Sequence, residues 1–214
     1  MGTEPSVLHG TRVRLEPLDH RHVEGLVAAA AVDPSLYQWS PVPQGQVEAA
    51  KYVETALAWR DAGTAVPFAI VRLDVGAVIG STRFWNLERW AWPHGHPRHR
   101  RQVPDACEIG YTWLTRSAIR TAANTEAKLL MLTHAFEVLG CHRVEFKTDS
   151  LNEPARGALL GIGATFEGIF RNHMVMPEGR LRHSAYYSVI DDEWPAAKAS
   201  LAATIDAAIA RRGK

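Results

Sequence analysis

The sequence predicts a mixed α/β fold, in which one twisted, mixed central sheet of about seven strands is flanked by helices. Short segments with strand-like apolar patterns and longer segments with helical apolar spacing are interspersed along the chain. Their order is β-α-α-β-β-β-α-β-α-β-β-α. The composition, 46% hydrophobic and 22% charged over 214 residues, suits a single domain over residues 1–214 with a sizeable core.

Charge and cysteine usage exclude several classes of protein. The formal net charge is +1, so nothing indicates a nucleic-acid partner. No apolar run approaches the roughly 18 residues of a membrane span, so we expect no membrane partner. Cys107 and Cys141 fit neither a disulfide framework nor a zinc site, and each is expected to be a small buried residue. A reducing cytoplasm is the expected location.

The first half of the chain supplies a strand, two helices and a hairpin. Residues 11–18 alternate apolar and charged side chains, which is the period of a half-buried strand. A helix over residues 19–31 begins at an aspartate suited to capping, and a second helix over residues 46–62 ends before a glycine. Two apolar strands then flank an Asp-Val-Gly turn, over residues 66–73 and 77–86.

The stretch from Cys107 to Leu139 organises the chain. A buried strand over residues 107–115 leads through a polar loop into an amphipathic helix. The helix carries apolar residues at helical spacing, namely Ala127, Leu130, Met131, Ala135 and Val138. Such a loop directs backbone N–H groups and the positive end of the helix dipole at one place, which suits a phosphate-bearing ligand.

Three strands and two helices complete the chain. Residues 143–148 form a strand, and Asn152 caps the short helix that follows. Residues 165–176 and 181–190 pair as a long hairpin across a Pro-Glu-Gly turn. An alanine-rich helix over residues 193–210 closes the chain, and this helix and the hairpin are candidate surfaces for a homodimer.

Four local segments carry a resemblance to a known family. They are EIGYTW (residues 108–113), NTEAKLLML (124–132), RVEFKTDSLN (143–152) and GRLRHSAYYSVIDDEWP (179–195). With the order of elements, they resemble the GCN5-related N-acetyltransferase (GNAT) superfamily, and within it the RimJ/RimL type of ribosomal-protein N-acetyltransferase. The resemblance extends over about residues 8–194.

One segment departs from the family pattern. The superfamily's pyrophosphate loop reads Gln/Arg-x-x-Gly-x-Gly/Ala, whereas residues 119–124 read Ile-Arg-Thr-Ala-Ala-Asn. The small side chain of Ala122 still permits close backbone approach to a pyrophosphate if its φ angle is negative. Asn124 is expected to cap the helix and contact a ligand.

The resemblance implies an N-acetyltransferase that moves an acetyl group from acetyl-CoA, its cosubstrate, to a primary amine by direct attack in a ternary complex. It implies that CoA contacts lie along the end of the central strand and in the loop that follows. The expected residues are Trp113, Leu114, Thr115, Arg120, Thr121, Ala122, Ala123, Asn124, Thr125 and Asn152.

The resemblance also indicates catalytic residues. Glu108 is the expected general base, with a strand-end carboxylate paired to an arginine as the alternative. Asn152 is expected to orient catalytic water and contact CoA, although a plain N-cap is the simpler role. The tyrosine acid of many relatives would fall near Leu159 and is absent. Protonation of the CoA thiolate then comes from solvent or from another group, or is not needed because the thiolate is a tolerable leaving group. Tyr111, Tyr186 and Tyr187 are conceivable substitutes, although such tyrosines are more often half-buried strand residues.

The acceptor site is expected among aromatic residues in the early helices and near the long loop over residues 87–105. The candidates are Trp39, Trp85, Trp90, Trp92 and Tyr111. Three histidines in this loop lack a nearby carboxylate or cysteine set, so we expect no metal. The acceptor is either a protein N-terminal amine or a small amine. A non-catalytic CoA-binding module with the same fold is the alternative to an enzyme.

Overall fold

The computed structural model describes residues 6–212, and it contains one mixed sheet flanked by helices. The strands are β1 (Leu8–His9), β2 (Val13–Pro17), β3 (Ala65–Arg72), β4 (Ala77–Glu88), β5 (Ala106–Leu114), β6 (Arg143–Asp149), β7 (Thr165–Val175) and β8 (Leu181–Ile190). The longer helices are α1 (Val23–Ala31), α2 (Gly45–Asp61), α3 (Ala122–Thr133), α4 (Glu153–Gly161) and α5 (Trp194–Arg212).

The sheet order positions a gap at its centre. The strands lie in the order β1-β2-β3-β4-β5-β6-β8-β7, and β5 with β6 is the parallel pair. These two strands are paired only where residues 106–108 meet residues 143–145. Beyond that point β5 continues with β4, while β6 continues with β8 as far as Asp149. The two halves of the sheet therefore diverge after Glu108.

Helices cover both faces of the sheet. On one face, α3 and α5 pack together over a core that includes Met131, Phe146 and Leu201. On the other face, α1 and α2 enclose a second apolar cluster that reaches Trp113 on β5. No helix among residues 6–212 combines the length and the apolar character needed to cross a bilayer.

The predicted fold class is confirmed, and most element bounds agree within one or two residues. The sheet has eight strands over the described residues instead of about seven, because β1 has two residues and is too short to show a periodic pattern. Cys107 and Cys141 are buried and free, as predicted.

The amphipathic pattern predicted for α3 is wrong at its end. Residues 134–139 form a π-helical turn, which inserts one extra residue into the turn. Ala135 is buried, but Val138 is 65% exposed and Leu139 takes the core position instead. The helix ends at Gly140, whose φ of 68° is left-handed.

Candidate active site

A cavity of about 540 Å³ occupies the gap between β5 and β6. This volume lies in the range typical of small-molecule sites. Both diverging strands line the cavity, together with residues of α2, α3, α4, β7 and β8 and of the connection between α1 and α2. The cavity therefore lies where the sheet topology leaves backbone and side chains of two strands facing open space.

A β-bulge shapes the β5 wall of the cavity. Ser81 pairs with Trp113 and Arg83 pairs with Gly110, so two residues of β5 face one residue of β4. Tyr111, inside the bulge, has a φ of 52°. A Cβ atom at Gly110 would lie 2.7 Å from Oε1 of Glu108. The glycine thus leaves room for a carboxylate at the point of divergence.

Glu108 is that carboxylate. It is 4% exposed and lines the cavity, and its Oε2 accepts a hydrogen bond of 2.9 Å from Nζ of Lys147. Burial raises the pKa of Glu108, and the ammonium of Lys147 opposes that rise. The arginine partner considered from the sequence is replaced by a lysine. A buried carboxyl group with a raised pKa can exchange protons closer to neutral pH than an exposed one can.

Lys128 on α3 is a cavity residue that sequence reasoning missed. The side chain is 6% exposed, and its Nζ donates a 2.7 Å hydrogen bond to Oγ1 of Thr112 in the bulge. Burial lowers the pKa of Lys128 to about 7. Helical spacing could have predicted its burial, because Lys128 lies three residues before Met131 and seven before Ala135, on the buried face of the helix.

Arg182 and Lys147 were also not predicted, and they make the cavity positively charged. Together with Lys128 they give three basic side chains, against the single carboxylate of Glu108 among the described lining residues. The Nε atom of Arg182 is buried without a hydrogen-bond partner, and its guanidinium forms no salt bridge with another described side chain. The cavity is therefore suited to a ligand that carries negative charge.

The start of α3 retains the features of a phosphate-binding helix end. Ala122 lies in the helix and is not among the residues with positive φ, so the condition for close backbone approach is met. The side-chain oxygen of Asn124 lies buried at the cavity without a partner, and the hydroxyl of Thr115 is likewise unpaired. Unpaired buried polar atoms beside a helix N-terminus fit a ligand with phosphate and amide groups, as CoA has.

The expected capping role of Asn124 is wrong. Thr121 is the N-cap, and its hydroxyl oxygen accepts a 3.2 Å hydrogen bond from the N–H of Ala123. Asn124 lies in the first turn of the helix instead, which leaves its amide facing the cavity. The sequence could not decide between Thr121 and Asn124 as the N-cap, because threonine and asparagine both serve in that position.

The residues predicted to contact CoA fall into two groups. Trp113, Leu114, Asn124 and Asn152 line the cavity. The others lie around the turn from β5 into α3 without lining it, namely Thr115, Arg120, Thr121, Ala122, Ala123 and Thr125. Asn152 caps α4 by accepting a 3.2 Å hydrogen bond from the N–H of Ala155, so capping and cavity lining coexist at this residue.

Two of the aromatic residues predicted for the acceptor site line the cavity, namely Trp39 and Tyr111. Trp85 lies behind Tyr111, with ring centroids 5.8 Å apart. The guanidinium carbon of the buried Arg83 lies 4.2 Å from the Tyr111 ring centroid, which further holds this ring. Tyr52 on α2 also lines the cavity and was not predicted.

Trp90 and Trp92 do not line the cavity. They lie at the other end of β5, where Trp90 N–H and Trp92 Nε1 donate hydrogen bonds of 2.9 Å to the carboxylate of Asp105. The ring of Trp90 stacks on His142, with centroids 5.7 Å apart. No group of three or more His, Cys, Asp or Glu side chains within residues 6–212 is arranged to hold a metal ion.

Comparison with known proteins identifies the family. Residues 12–165 match the acetyltransferase (GNAT) domain. The fold is similar to that of a GCN5-related N-acetyltransferase from Brucella melitensis, with 31% identity, a TM-score of 0.79, and coverage of 95% of this chain and 86% of that one. No curated protein matches.

Two further structures share the fold at lower identity. Mycobacterium smegmatis RimJ, in complex with CoA-disulfide, is 22% identical, with a TM-score of 0.74 and coverage of 92% and 91% of the two chains. A Salmonella typhimurium acetyltransferase that modifies the N-terminal serine of a 50S ribosomal subunit protein is 19% identical, with a TM-score of 0.71 and coverage of 86% and 99%. The predicted family is confirmed, and the chain belongs to the GNAT family as an acetyl-CoA-dependent N-acetyltransferase.

Proposed function

We propose that this enzyme acetylates a primary amine by direct attack of the amine on the thioester carbonyl of acetyl-CoA, with both substrates bound together. The observation that carries the proposal is the buried carboxylate of Glu108 at the point where β5 and β6 diverge. Acetyl-CoA supplies an already activated carbonyl group, so the protein needs to align the substrates and move protons.

Glu108 serves as the general base, directly or through one water molecule. Its raised pKa suits it to take a proton from an ammonium substrate, and Lys147 holds the carboxylate in place at 2.9 Å. Asn152 lines the same cavity, and because its oxygen is engaged by the N–H of Ala155, its amide N–H groups remain available for water or CoA. This constellation favours catalysis over a non-catalytic CoA-binding role.

The charge of the cavity indicates which acceptors to test first. The unpaired guanidinium of Arg182 favours an amine whose carrier also bears a carboxylate, such as an amino acid or an acidic peptide N-terminus. The activity of the Salmonella relative makes a ribosomal-protein N-terminus a further acceptor to include. A cytoplasmic location and a homodimer stay predictions.

The first experiment measures release of free thiol from acetyl-CoA in the presence of an acceptor panel. The panel pairs each carboxylate-bearing amine with its neutral amide and includes N-terminal peptides. We expect release with at least one primary amine and faster release with the carboxylate member of a pair. No release with any amine, from protein that binds CoA, would overturn the proposal.

The variant Glu108→Gln tests the base. We expect kcat to fall by about 10²- to 10⁴-fold, because the amide cannot accept the proton, while the affinity for CoA is retained. Glu137→Gln is the matched control, since Glu137 pairs with Lys198 on α5 and does not line the cavity. Full activity of Glu108→Gln would exclude Glu108 as the base while leaving direct transfer in place.

A further inference from the structure

We propose that Lys128 is the general acid that protonates the sulfur of CoA as it leaves. The inference rests on the proposed function, because it assigns the second proton transfer of the same reaction. Leu159, at the position expected for the tyrosine acid of many relatives, lines the cavity with an apolar side chain. Tyr111 also lines the cavity, but burial raises its pKa above the ordinary value, which makes it a weaker acid.

The geometry places an ammonium group inside the reaction cavity without a counter-ion. Lys128 is 6% exposed and lines the cavity together with Asn124, one helical turn earlier on α3. Its hydrogen-bond acceptor among the described residues is the hydroxyl of Thr112, at 2.7 Å. No described carboxylate forms an ion pair with Lys128, and its Nζ lies 5.8 Å from the ring centroid of Phe146.

The hydroxyl network beneath Lys128 fixes the position of its ammonium group. Thr112 lies in the bulge of β5, and its Oγ1 is 2.8 Å from Oγ1 of Thr82 on β4. A hydroxyl that accepts from Lys128 can donate to Thr82, so the three groups form one directed chain. The ammonium thus faces the gap between β5 and β6 from the α3 side, while Glu108 faces it from β5.

Burial also brings the proton affinity of Lys128 into the working range. Its pKa is lowered to about 7, so near neutral pH the side chain exists in both charged and neutral forms. An acid of this kind can give up its proton in one step and regain it in the next. The other titratable or charged side chains that share the cavity are Tyr52 on α2, Glu108 and Tyr111 on β5, Lys147 on β6 and Arg182 on β8.

The proton balance of the reaction closes with this assignment. Glu108 takes one proton from the acceptor ammonium, and the free amine forms the C–N bond as the C–S bond breaks. The sulfur keeps the electron pair of the broken bond and receives the proton of the Lys128 ammonium. The new amide nitrogen loses a second proton, which recharges Lys128 through solvent. One proton is released overall, from Glu108.

The variant Lys128→Met removes the acid and keeps the length and volume of the side chain. We expect kcat with acetyl-CoA to fall about a hundredfold. With an acetyl thioester of an aromatic thiol, whose thiolate leaves without protonation, we expect the variant and the parent to differ by less than about threefold. Lys128→Gln is the second variant, and Lys198→Met, at a partly exposed position of α5, is the control.

Two measurements without turnover test the same assignment. In protein with ¹³C-labelled lysine side chains, the resonance that disappears in Lys128→Met should titrate near pH 7. Bound CoA should show thiolate absorbance at lower pH in the parent than in Lys128→Met, because an adjacent ammonium stabilises the thiolate.

The proposal is overturned if Lys128→Met loses the same factor with both donors, or if the lysine resonance titrates at its ordinary value. It is equally overturned if the thiolate absorbance of bound CoA does not change on substitution. These binding and titration results stand even if no acceptor amine releases thiol, so failure of this proposal and failure of the proposed function are distinguishable.

Discussion

A single buried lysine has an energetic consequence apart from catalysis. Lys128 exchanges full hydration for one hydrogen bond to Thr112 and contact with Phe146, and no described carboxylate compensates the lost hydration. Transferring an unpaired charge out of water is costly, and the side chain responds by favouring its neutral form. The free energy that is lost by burying Lys128 is therefore expected to depend on pH.

The sign of that dependence follows from the shifted pKa. In the folded protein the pKa of Lys128 is about 7, whereas its ordinary value is 10.5. Between these values the unfolded chain binds more protons, so the stability of the native protein rises with pH across this window. Lys128→Met removes this pH-dependent contribution to the free energy of unfolding. We expect the variant to be more stable than the parent at pH 6, and its advantage to shrink by about 2–3 kcal/mol by pH 9.

Urea denaturation of the parent, Lys128→Met and the control Lys198→Met at both pH values measures this difference. The control should show a constant offset from the parent, since Lys198 is partly exposed and pairs with Glu137. An equal offset for Lys128→Met at pH 6 and pH 9 would show that the lysine keeps its ordinary pKa.

At the scale of elements, the close approach of β4 to β5 determines the shape of the β5 wall. Gly80 pairs with Leu114, and a Cβ atom at Gly80 would lie 2.0 Å from the carbonyl oxygen of Trp113. A side chain at this position would push the two backbones apart. Since the bulge with Thr112 and Tyr111 lies just beyond, the glycine maintains the strand spacing on which the cavity depends.

We expect Gly80→Ala to lower the free energy of unfolding by about 3 kcal/mol, because the methyl group meets backbone and not a mobile side chain. Gly157→Ala in α4 is the matched substitution, since a Cβ atom there meets nothing within 4 Å. It should raise stability by about 0.5–1 kcal/mol through helix propensity. Thermal denaturation measures both, and equal effects of the two variants would contradict this account.

At the scale of the molecule, the sheet consists of two halves that share only three residue pairs between β5 and β6. The cavity lies across the point where they diverge, with lining residues from both halves. A ligand seated there contacts Trp113 and Leu114 on one side and Phe146 and Asn152 on the other. Binding of CoA is therefore expected to stabilise the two halves of the sheet in their native arrangement.

Saturating CoA should raise the melting temperature of the enzyme. At a hundred times Kd, mass action adds about 2.7 kcal/mol, which corresponds to roughly 5–10 °C for a chain of this size. Differential scanning fluorimetry with CoA, and with ATP as a control ligand that lacks the pantetheine arm, measures the shift. An unchanged melting temperature at saturating CoA would contradict the assignment of the cavity.

The sequence by itself determined the class of fold, the order of elements and the family, because periodicity and capping are local properties of the chain. It also predicted Glu108 and Asn152 as site residues from contiguous segments that resemble the family, and both line the cavity. Tertiary structure alone decided that Lys128, Lys147 and Arg182 share one cavity with Glu108, since they come from α3, β6 and β8. The sequence predicted Trp90 and Trp92 to lie beside the acceptor, yet the chain folds them against Asp105 at the opposite end of β5. The local pattern of residues specifies which face of an element is buried. The divergence of β5 and β6 is a non-local property, and it specifies which side chains come together in the cavity.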